Sequence, residues 1–286
     1  MLALYKPMQK EEEYIKLLRV LLQVGEANKG LLAGEDDRIL DAEGLAQKVI
    51  FHASSVLYLS RSTTLREIGA SFFDSASVNV LGRAALEAFL VFHYVFVAPK
   101  SDYEKDFRYF SWILADLLMR QGYPAQSPQG KKILEGERAR IEELRTHLRN
   151  NPCFKDLTPR QQKGLLSLGN WRLQNWTDIA LAAGLNDTQA KAFYRRLSSY
   201  AHAGSLSVLQ LRQAGTANDQ RSLYFSTIGL LMITMAYMAK AYCTVFPQSQ
   251  AALQRDPNGA ALVDQWVQIG ATSLNEVSID WEAIDV

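Results

Sequence analysis

Residues 222–239, SLYFSTIGLLMITMAYMA, form a run of 18 residues without a charged side chain. A helix with no polar face has to be enclosed, either by other helices or by lipid. Spanning a bilayer takes about 20 predominantly apolar residues. Here Ser226, Thr227, Thr234 and Tyr237 dilute the run, and Lys240 closes it. The run therefore reads as a central helix inside a helical protein, with membrane association as a secondary alternative.

The rest of the chain agrees with an all-α fold. Proline and glycine are sparse and fall between long segments of helical periodicity. The pattern predicts helices at about 9–30, 40–61, 75–97, 102–121, 129–149, 158–168, 175–184, 187–203, 219–246 and 259–275. The expectation is a single domain over 1–286, a bundle of about 8–10 helices with 75–97 and 219–246 at its centre. Asp41 and Asp187 are candidate N-caps and Gly204 a candidate C-terminal stop. Tyr123-Pro124 and Ser127-Pro128 mark a break. No alternating run is long enough to predict a strand. Between 129 and 150 a narrow apolar stripe, Ile133, Leu134, Ile141, Leu144 and Leu148, suits a helix at the surface or against a partner. The acidic tail, 276–286, reads as irregular, with Ile279 and Trp281 able to dock it.

Charge excludes some functions. The 31 basic and 30 acidic residues nearly cancel, which argues against a dominating field for nucleic acid or anionic lipid, and nothing signals DNA in particular. Cys153 and Cys243 are too few for a disulfide framework or a cysteine-rich zinc site and read as reduced thiols in a cytoplasm. The N-terminal apolar run is too short for a signal peptide. No H-x3-H, H-E-x-x-H, E-x-x-H or C-x-x-C spacing, Gly-rich phosphate loop or G-x-S-x-G elbow occurs, so neither a metal nor a cofactor is expected.

Two polar stripes stand out against this background. From 78 to 98 the chain is almost entirely apolar except for Asn79, Arg83 and Glu87, spaced four apart, with His93 near the same side. Arg83 and Glu87 can pair at i, i+4, either as a buried ion pair or as the wall of a polar cavity. In the segment 187–203, Phe193, Leu197 and Tyr200 form the apolar stripe. Arg195, Ser198, Ser199 and His202 lie on the opposite face, with Arg196 about 120° off it. Arg195 can hold an anionic oxygen and His202 can move a proton near neutrality; the same face could equally be only solvated. Two polar faces in one bundle are expected to meet, with Arg83 and Glu87 facing His202. His52 and His93 read as core histidines, and Trp171 and Trp176 as residues packing a loop. The interleaved charges from Lys131 to Arg149 read as a solvated helix.

The arginine, six intervening residues and histidine of 195–202 resemble the R-x4-6-H motif of HEPN-type helical ribonucleases and toxins. The resemblance covers about one helix. It implies metal-independent RNA cleavage in a dimer, with His202 as acid/base and Arg195 as phosphate clamp. The polar residue that often follows the family arginine is here another arginine, Arg196. The blocks VLGRAALEAF (80–89) and YRRLSSYAHAG (194–204) also look like those of a bacterial all-helical family of unknown function, which implies a fold over about 40–245 but no activity. The reading is a partner- or ligand-binding module with a polar cavity around Arg83, Glu87 and His202. The alternative is a metal-independent ribonuclease, acting on RNA as a homodimer in a toxin or defence role.

Overall fold

The structure, a computed structural model, describes residues 6–30 and 36–272. The tail expected at 276–286, with Ile279 and Trp281, lies outside them. Thirteen helices occur among the described residues. They are α1 (Lys6–Glu26), α2 (Arg38–Leu59), α3 (Ser75–Phe92), α4 (Asp102–Arg120), α5 (Pro128–Asn150), α6 (Pro152–Lys155) and α7 (Pro159–Leu168), followed by α8 (Trp176–Ala182), α9 (Asp187–Ala201), α10 (Ser205–Gln213), α11 (Ala217–Val245), α12 (Pro247–Gln254) and α13 (Pro257–Ala271). The fold is all-α, and each of the ten expected helices is present. The additions are α6, α10 and α12. All three are short, and α6 and α12 open with a proline at the first helical position, where its missing N–H costs nothing.

One correction concerns strands. β1 (Thr63–Leu65) and β2 (Ala70–Phe72) pair antiparallel, Thr63 opposite Phe72. Three residues are too few for alternation to show in sequence. The hairpin turns through Arg66–Ile68 and a left-handed Gly69, φ 64°.

The described chain forms two compact units. One comprises α1–α3 with α8–α13, and the other is Tyr94–Asn175 with α4–α7. In the first, α11 packs against α1, α2, α3, α12 and α13, and every residue from Leu230 to Ala239 is buried. The uncharged run is thus the centre of a helical core. By length and composition, residues 75–97 and α11 could each cross a membrane, and more than half of each apolar window is buried within the protein.

α3 and α11 approach closely at Gly82. A Cβ there would lie 2.4 Å from Thr227 Cγ2. Buried polar groups lock the surrounding helices: Tyr14 donates to Ala53 O at 2.8 Å, and Tyr237 donates to Gly184 O and Val267 O. Asn28 donates to Ser249 Oγ, which in turn donates to Val24 O. The second unit has its own core of Phe107, Leu114, Ile141, Leu144, Leu148, Phe154 and Leu165. The α5 stripe is therefore divided, with Ile133 exposed and the rest from Ile141 onward buried. Trp171 packs edge-on against Tyr94 in the same unit.

Candidate functional site

The site is built on α9. Asn186 caps it by accepting from Thr188 N, so the cap is one residue earlier than Asp187, which instead holds Lys191 at 2.8 Å. For α2 the N-cap is Asp37, with Asp41 inside the first turn. Asn186 N donates to Gly270 O, and Gln189 donates to the carbonyl oxygens of Ile269 and Thr272. The start of α9 is thereby fastened to the end of α13. Leu197 and Tyr200 are buried and Phe193 is half-buried, so the apolar stripe faces the core.

Arg83 meets α9 through Tyr194 and Ser198. Its Nε donates to Glu87 Oε1 at 2.8 Å, and its two Nη atoms reach Ser198 Oγ and Tyr194 OH, each at 3.4 Å. The guanidinium also lies 5.3 Å from the centre of the Tyr194 ring. The Arg83 side chain is 13% exposed and that of Glu87 29%. Asn79 belongs to a different joint. It is fully buried, donates to Ser75 O and Leu223 O, and accepts from Thr227 Oγ1. The sequence stripe is thus divided between α9 and α11.

His202 departs from the expected arrangement. It is the C-cap residue of α9, exposed one turn beyond Ser198. Arg195 is exposed too, and among the described residues neither side chain makes a hydrogen bond or ion pair with another. The Arg83–Glu87 pair is flanked by Tyr194 and Ser198 of α9. The void next to it, lined by Leu86, Leu90, Phe193 and Tyr194 among others, holds about 10 Å³, room for at most one water. The larger groove, about 770 Å³, lies at the other end of α11 around Tyr242, Phe246, Leu21 and Phe51. Arg83 is thus engaged by Glu87, Tyr194 and Ser198, while His202 is exposed.

Arg196 turns inward, as its 120° offset on the wheel requires. It donates to Leu223 O, its Nε is buried without an acceptor, and desolvation lowers its pKa. Sequence reasoning missed Tyr194. The signal was the row Tyr194, Ser198 and His202, spaced four apart, of which the first two touch Arg83.

α10 was also missed. The chain passes from α9 to α10 through Ala203, φ 52°, and Gly204, which is the N-cap of α10 rather than only a stop. A Cβ on Gly204 would lie 2.6 Å from Ser199 Oγ. Ser207 is the buried residue of α10 and donates to Ser199 O and Gly204 O, while Tyr200 OH donates to Gln210 Oε1. Leu206, Val208, Leu209 and Leu211 are 42–57% exposed. This inverts the usual order, in which serine faces water and leucine the core. No acidic residue occurs from 188 to 218; of the four cations there, Lys191 pairs with Asp187 and Arg196 turns inward, which leaves Arg195 and Arg212 exposed. The end of the helical unit is thus apolar and basic at once.

Among the described residues, no three His, Cys, Asp or Glu side chains stand together as metal ligands. Cys153 and Cys243 are free thiols, and burial pushes Cys243 up to about 11. His52 is half-buried, and its pKa is lowered by burial and by Lys48. Comparison with protein-family models, curated proteins and solved structures returned no match, so the reading of the site rests on its own geometry.

Proposed function

We propose that this protein is a non-catalytic binding module whose working surface is the exposed face of α9 together with α10. One observation carries the reading: α10 is held by its serine and a glutamine while four aliphatic side chains point to water. Exposed aliphatic side chains beside the exposed Arg195 and Arg212 fit a partner that offers apolar side chains flanked by carboxylates. The Arg83–Glu87 pair supports this surface from beneath by fixing α9 against α3. A photo-crosslinker placed at Leu209 should give one discrete adduct in cells, identifiable by mass spectrometry. The adduct should be lost in Leu206→Ser/Leu211→Ser, and it should weaken as salt rises. If the adducts match those from the exposed Gln250 position, the reading fails.

A second reading, metal-independent RNA cleavage, has a specific support: Arg195 and His202, seven residues apart, are both exposed with no partner among the described residues. Arg195 would hold a phosphate oxygen while His202 moves a proton as the ribose 2′-hydroxyl attacks the adjacent phosphorus. Incubating RNA with the protein in EDTA tests it. Cleavage by the wild type that is lost in His202→Ala supports the reading, and equal rates for the two remove it.

A further inference from the structure

We propose that the groove between α1 and α2 binds a small amphipathic cation, with its ammonium on Glu43 and its apolar body between the two helices. Among the described residues the groove holds about 770 Å³, within the range of small-ligand sites. It lies at the C-terminal end of α11, away from α10. Its long wall is one face of α2, where Ile39, Glu43, Ala46 and Ile50 recur at helical spacing over about 17 Å. Leu21 and Leu22 face it from α1. Gly25 keeps the α1 wall low. Glycine inside a helix costs stability relative to alanine, and a Cβ at Gly25 would have nothing within 4 Å. Packing therefore does not demand glycine there, and its missing side chain leaves the groove open.

The polar groups of the groove are arranged in advance. Ser249 is fully buried and donates to Val24 O. Asn28, also buried, donates to Ser249 Oγ at 2.8 Å and to Tyr242 OH at 3.3 Å. Tyr242 OH accepts in that bond, so its own proton goes to the Glu43 carboxylate. Burial first, and then the Glu43 charge, push this hydroxyl up to about 12, which keeps it a donor. The chain of bonds thus holds the half-buried Glu43 in the groove wall. Among the described residues no basic side chain pairs with Glu43, and Lys29 on the rim pairs instead with Glu26 at 3.1 Å. One phenol proton leaves most of the carboxylate's acceptor sites open. An ammonium supplies both the missing donors and the missing charge, whereas an anion would be repelled.

Isothermal titration calorimetry of the full chain with decylamine, decanol and decanoate at neutral pH tests the site. The wild type should bind one decylamine per chain at least about tenfold more tightly than decanol, and decanoate more weakly than either. Glu43→Gln keeps an acceptor for Tyr242 and removes the charge, so it should lose the preference for the amine while still binding decanol. Gly25→Leu, which meets no atom at its Cβ, should weaken amine and alcohol alike by filling the groove. Circular dichroism certifies the fold of both variants, and the comparison of the three compounds on the wild type stands without them. Equal affinity for amine and alcohol overturns the proposal, as does an amine preference that survives Glu43→Gln. Absence of binding by all three compounds, or uptake of many amines per chain without saturation, overturns it as well.

Discussion

Replacing Glu87 by alanine tests whether the joint between α3 and α9 is electrostatic. The substitution leaves the Arg83 guanidinium only 13% exposed, with two hydroxyl oxygens at 3.4 Å as remaining acceptors. Stranding one member of a buried ion pair costs about 3–5 kcal/mol. Here Glu87 is 29% exposed, so water already shares the interaction, and the two long hydroxyl contacts can tighten. About 1.5–3 kcal/mol is the resulting expectation. Arg83→Met with Glu87→Leu removes both charges and keeps the volume, so it should cost less than Glu87→Ala alone. Urea denaturation followed by far-ultraviolet circular dichroism gives the three values. A Glu87→Ala loss below about 0.5 kcal/mol, typical of an exposed pair, would refute the argument, as would a double variant less stable than the single one.

Two further outcomes follow from the core. Gly82→Ala should destabilise by about 1–3 kcal/mol through overpacking, because Thr227 cannot turn its methyl aside without giving up its bond to Asn79. Thr227→Ser, which removes that methyl and keeps the hydroxyl, should restore most of the loss; no rescue would refute the contact. Burial pushes the Tyr237 hydroxyl up to about 12 from 10. The folded state therefore favours the protonated phenol. That stability is fully present below pH 10 and is lost as pH rises from 10 toward 12. The urea midpoint should fall as pH rises from 10 toward 12, and fall less in Tyr237→Phe; equal falls would count against this assignment.

Period and punctuation made the long helices legible. The uncharged run of α11 forced a central position, and the structure buries it from Leu230 to Ala239. Arg195 on α9 and His202 at its C-cap are both exposed. What the wheel could not supply was the partner surface. Tyr194 lies between the apolar and polar faces of α9, and only the approach of α3 brings it to Arg83. Burying His202 against Glu87 would have needed α9 to pack along its whole length; instead the helix ends at Ala201 and turns at Ala203. α10 stayed hidden because its aliphatic residues flank the helix on both sides of Ser207 and form no single stripe. The hairpin was hidden by strands of three residues.

The carbonyl oxygen of Leu223 accepts from Asn79 on α3 and from Arg196 on α9 while belonging to α11. Three helices meet at one main-chain atom. A main-chain acceptor is present whatever side chain position 223 carries, so ordinary substitution there leaves the junction in place. Sequence drift can break it only at its donors, positions 79 and 196. In a saturation library, residue 223 should accept many replacements, while 79 and 196 should accept few.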